Sequence, residues 1–125
     1  MSNQMIDSFI AHNRDAFVAA IGKLVAHPSV SGESAGPGAP FGKGPRTALD
    51  EALNIAKGFG LATGDCDGYI GGAELACKEP GHTAPFAPVD VVPGGQGGTG
   101  APFPPRAKKG GLLGRGGSAA QGPAG

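Results

Sequence analysis

Three histidines, His12, His27 and His82, and two cysteines, Cys66 and Cys77, are the nitrogen and sulfur donors that this 125-residue chain offers a metal. No two of the histidines are spaced four apart, the interval that sets two imidazoles on one face of a helix. The cysteines do not form a Cys-x-x-Cys pair; a single disulfide between them is compatible with the sequence. Histidine and cysteine spacing therefore predicts no zinc site. Asp65 and Asp67 flank a turn, but the further carboxylates of a calcium loop do not follow, so an ordinary turn is expected. Ser29 and Ser31 have no base in sequence context to activate them, and loop or capping serines are the expectation. The runs Gly94-Gly95, Gly97-Gly98 and Gly114 to Gly117 are not followed by the apolar helical pattern that a phosphate-binding loop requires. Pro102-Phe103-Pro104-Pro105-Arg106 has the composition of a polyproline II ligand, and a flexible linker is its simpler reading.

The elements that must position these groups are few. Ile10, Phe17, Val18, Ile21, Leu24 and Val25 recur at helical spacing and predict an amphipathic helix over residues 3–26. Ser2 or Asn3 is placed to cap it, and Pro28 stops it. Residues 29–44 read as a loop punctuated by glycine and proline. A second helix is expected from Pro45, whose fixed φ suits a first helical position, with Leu49, Ala52, Leu53 and Ala56 as its buried stripe and Gly58 and Gly60 marking its end. Residues 61–63 form a candidate strand, Asp65-Cys66-Asp67-Gly68 a turn, and residues 69–75 a second strand weakened by Gly71 and Gly72. Strand character returns around Val89, Val91 and Val92, where Pro85 and Pro88 interrupt it. Everything after Pro93 reads as coil.

Composition divides the chain in the same way. Of 25 glycines and 12 prolines, 13 and 8 fall in the 46 residues from Pro80 onward. That density marks a low-complexity, disordered segment. The division predicted is a partial α/β segment at 1–79 and a mostly irregular Gly/Pro-rich segment at 80–125. A core confined to the first part is small, and such cores are marginal without a partner. Formal net charge is zero. After Asp90 the charges are all basic (Arg106, Lys108, Lys109, Arg115), yet they are too few and too free of aromatics for a nucleic-acid footprint. No apolar run approaches the ~20 residues of a membrane span, and no basic segment precedes an apolar one at the start, so no signal peptide is expected. These features favour a cytoplasmic location without nucleic-acid or membrane partners.

Three stretches together carry a family resemblance. The first is His27-Pro28-Ser29-Val30-Ser31-Gly32-Glu33 behind the first helix. The second runs from Ala39-Pro40-Phe41-Gly42-Lys43-Gly44 through the second helix to Gly60-Leu61-Ala62-Thr63 and Asp67-Gly68-Tyr69-Ile70-Gly71. The third is Val89-Asp90-Val91-Val92-Pro93 with Leu113-Gly114-Arg115-Gly116 and Gly122-Pro123. In this order the chain resembles the start of PepV-like and Sapep-type dipeptidases, of the dizinc aminoacylase and carboxypeptidase superfamily. The resemblance implies an α/β fold: two helices packed on a short, incomplete sheet, the opening of a larger catalytic domain, followed by the Gly/Pro-rich segment. It implies peptide-bond hydrolysis of dipeptides by two zinc or manganese ions that share a carboxylate and a water. In the family the first ligand is the histidine of a His-x-Asp-Val-Val-Pro motif, and the aspartate two residues later orients that imidazole.

Set against the motif, this sequence departs where the chemistry lies. Pro88 stands in the histidine position, and a proline ring offers no lone pair to a metal. Asp90 keeps the orienting position. Ala119 stands for the bridging aspartate, Ala120 and Gln121 for the following Asp-Lys, and Gly98 for a tryptophan. The family's general base and remaining ligands align past Gly125. Each departure is one base change from the family residue, the pattern of a degraded gene or of errors in the read sequence. The expectation is a dipeptidase fragment that binds no cofactor and is inactive by itself, with self-association through exposed sheet edges. The alternative is a small non-catalytic protein-binding module with a basic disordered tail.

Overall fold

Residues 2–76, 78, 81, 83–97, 100–103, 105–108 and 111–116 are described by a computed structural model of the chain. Its elements are α1 (Asn3–Val25), α2 (Lys43–Gly58), β1 (Ala62–Cys66), β2 (Ile70–Glu74), β3 (Arg106–Lys108) and β4 (Gly111–Leu113). The mixed α/β architecture of two helices and a short sheet is as the sequence predicts.

α1 ends as expected before Pro28, with Ala26 as its last cap. Ser2 occupies the N-cap position, but its side chain makes no capping bond; its carbonyl instead accepts from the Met5 and Ile6 N–H groups. Ala20, Leu24 and Val25 are buried, whereas Met5, Ile6, Phe9 and Ile10 are exposed. The helix thus carries an apolar stripe along its length and covers only the last part of it.

α2 starts two residues earlier than predicted. Gly42 takes the N-cap at φ 99°, and Pro45 is the third helical residue rather than the first. Proline is tolerated there because the N–H groups of a first turn have no acceptor inside the helix. The residues it buries most deeply are Pro45 and Ala48, while Leu49, Ala52, Leu53 and Ala56 are half-buried. The sheet facing them is only two strands wide, so the predicted stripe is not fully covered.

β1 and β2 pair antiparallel from Ala62↔Glu74 to Cys66↔Ile70. The hairpin is closed by the Tyr69 N–H donating to the Cys66 carbonyl at 2.9 Å. Asp67 and Gly68, the two central residues, have φ of 50° and 77°, the sign that a type I′ turn demands and that matches the twist of the flanking strands. α2 packs on this hairpin: Gly71 lies so close to Leu49 and Leu53 that a Cβ there would come within 2.6 Å of the Leu49 Cδ1.

The expectation of coil after Pro93 is corrected by β3 and β4, which pair antiparallel from Arg106↔Leu113 to Lys108↔Gly111. The pairing needs only backbone groups, so a glycine-rich stretch that is poor in β-formers can still adopt it. Gly114, just past β4, lies against the Val25 side chain of α1 and the backbone of Pro105. Among the described residues the buried core is Ala20, Leu24, Val25, Ala48 and Val91 with the polar Ser29. No helix among them is long and apolar enough to cross a membrane.

Candidate functional site

Asp90 is placed by a seam between two remote segments. Val30 and Val91 form a parallel bridge. The Val91 N–H donates to the Ser29 carbonyl at 3.0 Å, and the Ser29 hydroxyl donates to the Val89 carbonyl at 2.8 Å. Ser29 is fully buried, so its hydroxyl needs such an acceptor. One step along, the Ser31 hydroxyl donates to Asp90 Oδ2 at 3.2 Å. The first resemblance stretch therefore lies directly beside the third.

The loop bearing the serines is fixed from both sides. The Gly32 N–H donates to the Phe41 carbonyl at 2.9 Å. Gly44, in the first turn of α2, sits where any Cβ would collide with the Pro28 carbonyl. His27 Nε2 lies 3.5 Å from Glu51 Oε2, tying the end of α1 to α2.

A second polar cluster centres on Arg46. Its guanidinium pairs with Asp50 one turn along α2, with Asp65 Oδ2 at 2.5 Å and with the Gly38 carbonyl at 3.2 Å. Asp65 Oδ1 accepts the Gly68 N–H at 2.9 Å. These bonds, that from Arg46 first and that from Gly68 second, hold the Asp65 carboxyl below its usual range. Asp50 and then Asp65 raise the Arg46 guanidinium above its ordinary value. Beside the cluster, Phe41 and Tyr69 meet edge to face with ring centroids 5.5 Å apart.

The structure thus sorts the residues singled out from sequence. Asp67 lies in the hairpin turn, whereas Asp65, expected in that turn, is a paired residue of β1 whose carboxylate accepts from Arg46 and the Gly68 N–H. Ser29 and Ser31 hold the seam. His27 faces Glu51 of α2 at 3.5 Å, and Cys66 is exposed. His82, Cys77, Gly98, Ala119, Ala120 and Gln121 lie outside the described residues. Arg46 and Glu51 were not singled out. Arg46 and Asp50 stand four apart on a helix, a spacing at which opposite charges meet; nothing local signals the contact of Glu51 with His27.

The donor set among the described residues does not fit a two-metal centre. Position 88 offers a proline, and among the described residues no three histidine, cysteine, aspartate or glutamate side chains converge. A catalytic zinc takes about three protein ligands besides its water. What the arrangement provides is one oriented carboxylate at an exposed edge.

No protein-family profile matches the chain. It is similar to "Putative dipeptidase YtjP" of Bacillus subtilis, 34% identical over 90 residues, which is 72% of this chain and 19% of that protein. It is 40% identical over 78 residues to a protein of Staphylococcus epidermidis named "Putative dipeptidase", 62% of this chain and 16% of the relative. A Staphylococcus aureus protein with the same designation matches equally, at 40% over 78 residues. The likeness is to dipeptidases. The chain spans less than a fifth of the length of these curated relatives.

Proposed function

We propose that the chain is a segment of the catalytic unit of a dipeptide hydrolase, of the PepV-like or Sapep-type branch, and that it has no turnover by itself. The observation that carries this reading is the seam: the Val30–Val91 bridge sets Val89-Asp90-Val91 beside Ser29-Val30-Ser31. Two stretches of the family resemblance, read separately along the chain, thus meet in space with Asp90 at their junction. The similarity to dipeptidases over most of the chain supports the same assignment. Asp90 has the position of the aspartate that orients the first ligand. In the intact family zinc or manganese polarises the peptide carbonyl; here Pro88 and Ala119 take the first and the shared ligand positions. We therefore assign this chain no cofactor of its own, and place dipeptide substrates and a cytoplasmic setting with the whole protein.

The test is an assay of purified chain against a panel of dipeptides in excess zinc or manganese, with metal content measured on the same sample. The expected result is no hydrolysis, for the chain as it is and for Pro88→His combined with Ala119→Asp. Metal-dependent hydrolysis by the unaltered chain, abolished by Asp90→Ala, would overturn the reading. The exposed stripe of Met5, Ile6, Phe9 and Ile10 favours a second reading, a non-catalytic binding module. Metal-free chain that retains a protein partner only while Phe9 is intact would establish it.

A further inference from the structure

We infer that Ser31 is the positioning residue for the Asp90 carboxylate, turning it toward the side of the chain that residue 88 occupies. The inference rests on the reading of this segment as the site of a dipeptide hydrolase. Asp90 is exposed and sits on an isolated stretch with a single bridge pair beside it. An exposed aspartate in such a place ordinarily samples several staggered rotamers. Here one carboxylate oxygen, Oδ2, accepts the Ser31 hydroxyl at 3.2 Å, a long contact for a hydroxyl donor that biases the rotamer by direction more than by strength.

Ser31 can hold that carboxylate because it is itself held. Ser29, two residues before it, is fully buried and doubly engaged with the opposite segment, through its hydroxyl to Val89 and its carbonyl to Val91. Gly32, the next residue, is tied to Phe41. The Ser31 Cα is therefore bracketed by fixed backbone, and register cannot drift. The two serines divide the labour. The buried one anchors the seam, where a lost partner is costly; the exposed one adds little stability, because its groups are equally well served by water. Its consequence is direction. Positions 88 and 90 are two apart, the interval that shares a face where the chain is extended, so the rotamer that Ser31 holds sets what the carboxylate presents to a group at 88.

Three-bond Hα–Hβ couplings of Asp90 in the full chain read its side-chain rotamer. A single rotamer is expected, averaged in Ser31→Ala and retained in Ser31→Thr, which keeps the hydroxyl. Amide protection of Val91, which reports the bridge, should be unchanged in all three. Couplings that are already averaged in the unaltered chain, or that Ser31→Ala leaves as they were, overturn the inference. A Pro88→His background separates this from the site reading, with ring-nitrogen shifts reporting whether the introduced imidazole is held in one tautomer. Loss of a single tautomer in both Asp90→Asn and Ser31→Ala supports the two together. A tautomer sensitive to Asp90→Asn but not to Ser31→Ala overturns the role of Ser31. Insensitivity to Asp90→Asn overturns the histidine–aspartate reading of these positions, while the coupling data still decide whether Ser31 holds Asp90.

Discussion

Gly68 combines two demands that only glycine meets. Its φ is 77°, and its Cα faces the Gly38 carbonyl so closely that a Cβ would strike that backbone. Gly68→Ala should cost about 1–2 kcal/mol for the left-handed conformation and more for displacing the 36–40 loop. Chemical denaturation measures the loss. Tyr69 is the single tyrosine of a chain without tryptophan, so its fluorescence reports the same turn. Asp65 makes a second prediction at this scale. Its folded pKa is depressed below 3.8, so its contribution to stability is complete above the unfolded value and is lost as pH falls through the folded one. The stability gap between the unaltered chain and Asp65→Asn should therefore hold at neutral pH and close under acid below about pH 4. A gap that widens on acidification would contradict the assignment. The Asp-x-x-Gly turn is legible in the sequence because its signal is local. The Arg46–Asp65 and Ser29–Val89 contacts are not, since they join residues 19 and 60 apart and a single sequence carries no mark of such partners.

At the scale of elements, α2 and the β1–β2 hairpin form the best-defined unit. Composition alone makes β2 a weak strand, since Gly71 and Gly72 have no side chains to pack. The structure gives Gly71 a positive reason: Leu49 and Leu53 of α2 occupy the space a side chain would need. Gly71→Val should destabilise by about 1–3 kcal/mol through overpacking, read as a lower denaturation midpoint. Gly72, which has open space where its Cβ would be, should accept alanine with far less effect. An equal loss at both positions would show that strand propensity, not packing, decides. The α1 and α2 spans were readable from their periodicity and prolines. The helix start at Lys43 was not, because glycine at Gly42 and proline at Pro45 both mark a start and the sequence does not choose between them. The β3–β4 pair was missed for a different reason: its residues include no run of β-branched or aromatic side chains, and its support comes from Gly114 resting on Val25.

Across the whole molecule the apolar surface exceeds what the fold covers. Met5 and Phe9 are more than 60% exposed, and Ile6 and Ile10 accompany them on the same stretch of α1. Exposed stripes of this kind drive association. The chain should self-associate in size-exclusion chromatography with light scattering, and Ile6→Lys combined with Phe9→Lys should shift it toward monomer. Unchanged association in that variant would move the contact to the open edges of the β1–β2 sheet. The seam between Val30 and Val91 has a different consequence, one of timing. The α2–β1–β2 unit draws on residues 43–74, a short stretch whose contacts are local. The seam joins segments about 60 residues apart and must close a loop of that size before any of its hydrogen bonds form. Local contacts form faster than remote ones, so in refolding the amides of α2 and its hairpin should gain protection from exchange before that of Val91, and on unfolding Val91 should lose protection first; simultaneous protection would contradict this order.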